Sequence, residues 1–314
     1  MIKPELCKEI DPSDIGRYKE WFAEPKLDGV RCIAYIDKKD ETVRLISRSG
    51  RDISDSFPEL AFMHKEVKFS CTLDGELFCE SFPMTATRVQ TTTPLRVSAL
   101  SVMHPTTYHA WDLLHCGQDL TRNPVTLYHR KRALERIAEP GKCLTLVPWA
   151  QGDPQGLFDR ITGGGGEGII LKDPNSFYQE GKRSPKWLKV KAFKEENFLV
   201  IGVTPGTGTR ADTFGALILA QGLPNNGAMK WMGNVGTGFT RQQCVQVLRT
   251  LIPFKAEIMP YHAEQLGVKG PVMFWIKKVP VYCSVRYQEI GSDGHLRFPS
   301  FRGLSIFPRQ HFYF

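Results

Sequence analysis

At 314 residues the chain is long for one small domain and fits two, and its 41% hydrophobic content is enough for real cores. No apolar run reaches the length of a membrane span, and the opening "MIKPELCKEIDPSD" lacks the apolar centre of a signal peptide, so a cytoplasmic protein with no membrane partner is expected. Eight scattered cysteines without a CxxC pair and eight dispersed histidines without HExxH argue against a disulfide framework or a zinc site, while 41 basic against 33 acidic residues, net +8, favour a polyanionic partner.

In chain order, "RCIAYID" (31–37), "TVRLIS" (42–47), "SCTLDGELFC" (70–79) and "TTYHAWDLL" (106–114) alternate as strands do. The segment 83–105, rich in Thr, Ser, Met and Pro, reads as a loop. "LYHRKRALERIA" (127–138) has helical periodicity, and "TGGGGEGIILK" (162–172) is a glycine-rich loop entering an apolar strand. The polar "KAFKEEN" (191–197) marks a boundary, giving expected domains of 1–193 and 194–314. Beyond it, "FLVIGVTPG", "GALILAQG", "KWMGNVGTG" and "VYCSVRYQEI" are short strands with glycine-rich turns, interrupted by a helix, "RQQCVQVLRTLI" (241–252). The pattern is α+β: antiparallel sheets with helices, followed by a small β-barrel.

Chemistry concentrates in the first domain. "EPKLDGVR" (24–31), "LDGEL" (73–77) and "EGIILK" (167–172) each set a lysine or a carboxylate beside a glycine, and "KWLKVK" (186–191) closes the domain. On a strand, Lys189 and Lys191 project from one face. Glu76 and Glu167, each flanked by glycine and apolar residues, need partners, which Lys26, Lys189, Lys191 and a hydrated divalent cation would supply. Phosphates would account for the clustered cations. The glycine run 163–166 is no Walker loop, because no GK[ST] follows.

These segments resemble the ordered motifs of the covalent nucleotidyltransferases, specifically the ATP-dependent DNA ligases. "KLDGVR" is similar to the family's KxDGxR lysine motif, and "SRSG" (47–50) to its second, arginine-bearing motif. "LDGEL", "YHAWDLL", "EGIILK" and "KWLKVK" follow in the family's order, and "DGHLRFPSFRGL" (293–304) resembles the terminal signature of T7-like bacteriophage ligases. The resemblance spans about residues 20–304, and implies an adenylation domain followed by an OB-fold domain.

By that resemblance Lys26 attacks the α-phosphate of ATP and forms lysyl-AMP, with Lys189 and Lys191 supplying positive field and binding the phosphate. Glu24 contacts the adenine amino group, Trp111 stacks on adenine and Glu76 bonds the ribose. Glu167, with Glu76, helps hold Mg²⁺, or Mn²⁺ in its place. Arg31 and Arg48 contact the nucleotide or the 5′-phosphate of a nick. Lys172 stays open between a nucleotide ligand and a solvated strand end. Arg88 and Arg96, in segment 83–105, are candidate DNA contacts. Arg297 and Arg302 would orient pyrophosphate or touch DNA, although no Asp-Lys pair follows Arg302 as in many family members.

The expected activity is sealing of nicked duplex DNA by a monomer, with 191–197 as a hinge and an infected bacterium as the setting. Only 25 residues precede Lys26, which suggests a minimal enzyme and favours ATP over NAD. A GTP-using mRNA capping guanylyltransferase, an RNA ligase and a non-catalytic nick-binding scaffold are the alternatives.

Overall fold

A computed structural model describes residues 2–122, 124–222, 229–258, 266–277, 279–291 and 293–306. The chain divides into two compact units, Met1–Ala192 and Phe193–Phe314.

The first unit is built on two sheets. Its elements are β1 (Leu6–Glu9), β2 (Phe22–Pro25), β3 (Val30–Asp37), β4 (Thr42–Ser47), β5 (Cys71–Phe78), α1 (Phe82–Gln90), α2 (Pro94–Met103), β6 (Thr107–Cys116), β7 (Gln118–Asp119), α3 (Leu127–Ile137), β8 (Leu144–Leu146), α4 (Pro154–Gly163), β9 (Gly168–Lys172) and β10 (Arg183–Lys191). One sheet runs β1-β10-β9-β2 and the other β4-β3-β5-β6-β7, with β8 alongside β6. Alternation along β3 and β5 turns Cys32, Ala34, Leu73 and Leu77 into a core shared with Leu134 and Ile137 of α3. Ile33, Trp111, Leu114 and Trp187 form another cluster, drawn from strands of both sheets. Apolar burial therefore packs strands of the two sheets against each other.

Segment 83–105 is not a loop but α1 and α2. Ser81 caps α1, accepting the Met84 N–H at 3.4 Å. Each helix carries a proline in its first turn. Proline there removes no helical hydrogen bond, so it starts a helix rather than breaking one. The expected hinge also needs correction. Lys194–Asn197 pair with Tyr287–Ser284 as the start of a strand, which leaves Ala192 and Phe193 outside the strands.

The second unit contains β11 (Lys194–Pro205), β12 (Phe214–Gly222), β13 (Met229–Val235), α5 (Arg241–Leu251), β14 (Lys255–Ala256), β15 (Phe274–Ile276), β16 (Val281–Tyr287) and β17 (Ser300–Ile306). Thr240 and Gln243 form a reciprocal capping box at the start of α5, whose buried Cys244, Val247 and Leu251 share one face. β11 pairs with β12 on one edge and with β16 and β15 on the other, around a core of Phe198, Val200, Val203 and Phe214. Register shifts between Val200 and Gly202 and between Val203 and Pro205 bend this strand, as bulges do. The Leu296 N–H reaches the Met232 carbonyl and the Phe301 N–H the Thr237 carbonyl, each at 2.9 Å. The architecture is that of an OB-type domain, although the ladders among the described residues do not close into a barrel.

Candidate active site

The register of the first sheet assembles the phosphate end of the site. β9 runs antiparallel to both β2 and β10, opposing Pro25 to Ile169 and Lys191 to Gly168. The Lys26 N–H continues the ladder to the Gly168 carbonyl at 2.9 Å, and the Ala192 N–H does so to Glu167 at 2.9 Å. Lys26, Glu167 and Lys191 therefore meet at one end of the sheet. Lys26 Nζ lies 2.5 Å from Glu167 Oε2, and Lys191 Nζ lies 3.3 Å from Oε1. Gly168 is required at φ +144°, where a Cβ would stand 2.0 Å from the Val190 carbonyl oxygen.

The Asp-Gly turn after Lys26 has an equally specific cause. A Cβ on Gly29 would lie 2.3 Å from the Leu77 carbonyl oxygen and 2.8 Å from Glu76 Cγ. Glycine lets the backbone approach, and its N–H donates to Glu76 Oε1 at 2.7 Å. Burial pushes the Glu76 carboxyl up to about 7, against the Gly29 N–H and the charges of Lys26 and Arg31 that pull it down; the negative charge of Glu167 adds to the rise.

A cavity of about 840 Å³ opens over these groups, lined among others by Lys26, Arg48, Glu76, Trp111, Lys189 and Lys191. Arg48 stands exposed on the turn after β4. Lys189 lines the cavity while its ammonium lies 2.9 Å from Glu9 Oε2 on β1.

The other end of the cavity is buried. Glu24 sits between Lys131 and Lys172, with Nζ–Oε separations of 2.5 and 2.7 Å. Burial alone would raise its carboxyl, but the two ammoniums overcome that and hold it below the ordinary value. Lys172 is thus no solvated strand end: it is buried, with Nζ 4.1 Å from the Trp187 ring centre and 5.0 Å from that of Trp111.

Arg31 also lines the cavity, but its guanidinium is largely committed elsewhere. It grips Asp74 at 3.0 and 2.6 Å and donates to the Glu5 carbonyl. Burial disfavours the charge on Arg31, and Asp74 more than restores it.

Arg88 is not available to DNA. It is buried on α1, paired with Glu59 and bonded to Ser56 O at 2.9 Å, His104 O at 2.8 Å and Thr106 Oγ1 at 3.0 Å. Arg96 on α2 is exposed, as are Arg297 and Arg302 in the second unit.

Sequence reasoning missed Lys131, Arg130 and Asp112. Arg130 and Asp112 form a fully buried pair at 2.8 Å. A signal existed, because the buried positions of α3 are Leu127, Arg130, Lys131, Leu134 and Ile137. Two cations fall on the apolar stripe of the helix, where a charge needs a partner.

No three metal-ligating side chains converge among the described residues. The pair Glu76 and Glu167 nevertheless suits Mg²⁺, which commonly takes one or two carboxylates together with substrate phosphates. The negative charge of Glu167 raises the cost of charge on Glu76, and a cation between them would relieve it.

Residues 4–191 match the model of the ATP dependent DNA ligase domain, and residues 210–305 that of the ATP dependent DNA ligase C terminal region. The multifunctional non-homologous end joining protein LigD of Mycolicibacterium smegmatis is 30% identical over 311 residues, covering 96% of this chain and 38% of that protein. The bifunctional non-homologous end joining protein LigD of Bacillus subtilis is 30% identical over 310 residues, covering 91% of this chain and 46% of that protein. The solved ligase domain of M. tuberculosis LigD is similar with a TM-score of 0.53 and 25% identity, over 97% of this chain and 95% of that one. The chain belongs to the ATP-dependent DNA ligases. It spans less than half the length of the two end-joining proteins it matches.

Proposed function

We propose that the cavity takes AMP from ATP onto Lys26 and passes it to the 5′-phosphate of nicked duplex DNA, whose 3′-hydroxyl then displaces it to seal the strand. The observation that carries this reading is the Lys26–Glu167–Lys191 group at the mouth of a cavity whose far end holds Glu24 and Trp111. In the first step the bond from Lys26 Nζ to the α-phosphorus forms as the bond to the pyrophosphate oxygen breaks. Glu167 Oε2, at 2.5 Å, is the acceptor within reach of the ammonium proton. Lys191 and Lys189 line the cavity, where they would stabilise charge developing on the phosphate oxygens.

Glu167 and Glu76 would hold a divalent cation, which when bound neutralises charge on the phosphates. Glu76, anchored by the Gly29 N–H, stands ready for the ribose, and the Trp111 face for the base. Arg48 is the exposed cation for the nick phosphate. Arg96, Arg297 and Arg302 are exposed donors for DNA at other positions. We take the working form as a monomer in bacterial cytoplasm; among the described residues no helix is long and apolar enough to cross a membrane.

The test is incubation with α-labelled ATP or GTP and Mg²⁺, beside Lys26→Ala, followed by a denaturing gel and a chase with nicked DNA. Label from ATP that needs Lys26 and leaves as sealed strand is the expected result. Label from GTP would favour a capping activity. Binding to a nick without label would leave a scaffold. An RNA-containing nick in the same chase reads strand tolerance.

A further inference from the structure

Lys131 touches both features that face the base. Its Nζ lies 2.5 Å from Glu24 Oε1 and donates to the backbone carbonyl of Trp111 at 3.0 Å. Glu24 belongs to β2 of the four-stranded sheet and Trp111 to β6 of the other, so this one ammonium ties the two sheets together at the base end of the cavity. The side chain is 2% exposed. It also lines a second cavity, of about 300 Å³, with Trp111, Glu135 and Trp149.

The chemistry of the base follows from the charge. A carboxylate only accepts hydrogen bonds. It therefore pairs with the amino group at C6 of adenine and meets a carbonyl oxygen at C6 of hypoxanthine or guanine with repulsion. That discrimination needs Glu24 to be ionised although buried, and aimed across the plane that Trp111 defines. Lys172 supplies charge to Glu24 but is not bonded to the Trp111 backbone, whereas Lys131 does both.

Resting on the adenylation reading above, we propose that Lys131 is a positioning residue for purine selection: by holding Glu24 against the Trp111 strand, it sets the preference for a 6-amino over a 6-oxo purine nucleotide. It does not touch the reacting phosphate, and it acts through Glu24.

The test compares enzyme–nucleotide formation from α-labelled ATP and ITP at sub-saturating concentrations, which yields the ratio of kcat/KM values. Because both nucleotides meet the same enzyme, this ratio does not depend on the fraction of a variant that is folded. The wild type is expected to favour ATP strongly. Lys131→Met is expected to lower the ATP-to-ITP ratio by at least about tenfold, the worth of roughly one good hydrogen bond. Lys131→Gln serves the same purpose should the methionine variant yield no soluble protein, and Lys131→Arg should recover most of the preference. A ratio unchanged in Lys131→Met or Lys131→Gln, whatever their absolute rates, would overturn the proposal while leaving the ligase reading intact. No label from ATP in the wild type would overturn the ligase reading itself, and this inference with it.

Discussion

Two carboxylates in the first unit each sit between two ammoniums: Glu24 lines the cavity itself, and Glu167 sits behind the cavity-lining Lys26 and Lys191. Glu24 lies between Lys131 and Lys172 with all three side chains 2% exposed. Glu167 lies between Lys26 and Lys191 with side-chain exposures of 11, 20 and 15%. The composition is identical, and burial separates the roles. Breaking a desolvated pair costs several kcal/mol, whereas a partly wetted pair trades its partner for water at lower cost. The proposed first step requires Lys26 to leave Glu167 for a phosphate. Nothing in that step requires Glu24 to move. The exchangeable pair is where bonds would change, and the rigid pair is where a base would be read.

Substitutions can break or sharpen this contrast. The largest effect is expected for Lys26→Ala, which should lower label transfer from ATP by at least a thousandfold, about 4 kcal/mol on the transition state, with little loss of thermal stability. Rates from quenched-flow labelling and a melting curve check both halves.

Arg31→Met should do the reverse of its motif position and act mainly on stability. It leaves Asp74 buried without its cation, so a loss of about 3–5 kcal/mol in urea unfolding is expected. A loss below about 1 kcal/mol would show that the Arg31–Asp74 pair does not hold the fold together.

Glu76 gives a pH signature of intermediate size. Its folded carboxyl titrates at about 7 against an ordinary value of 4.5, so the folded state holds a proton that the unfolded chain releases. The stability it contributes is complete below about 4.5 and is lost as pH rises through about 7, by roughly 2 kcal/mol after allowance for solvent. Unfolding of the wild type and Glu76→Gln across this range should differ by that amount, and added Mg²⁺ should narrow the gap. The smallest effect belongs to the surface pair Arg241–Asp212, exposed by 69 and 59%. Arg241→Ala should change stability by less than about 1 kcal/mol, and a larger loss would undo the ranking by burial.

Much of this arrangement is legible in the amino-acid sequence. The strands over 30–37, 42–47 and 71–78 and the helices over 127–137 and 241–251 follow from periodicity alone. The glycines of "KLDG" and "EGII" mark close backbone approaches that only the fold explains. What sequence did not disclose is which charges are buried. Glu24, Lys131 and Lys172 are far apart in the chain, and their meeting depends on the register of β2 with β9 and on the docking of α3. Arg88 misled for a related reason: a segment rich in Ser, Thr and Pro resembles a loop, but "SFP" and "TTP" are helix starts, and the helix carries Arg88 inward to Glu59. The end of the polar stretch 191–197 misled likewise, because an exposed strand can be as hydrophilic as a linker.

In the proposed reaction Lys26 is the residue that takes the nucleotide. That role is tested most directly by incubating the protein with ATP and Mg²⁺, digesting it at neutral or alkaline pH to spare the acid-labile P–N bond, and locating the adduct by mass spectrometry. The predicted result is one AMP on the peptide containing Lys26 and none on those containing Lys189 or Lys191. AMP on another residue, or strand sealing by Lys26→Ala, would contradict it.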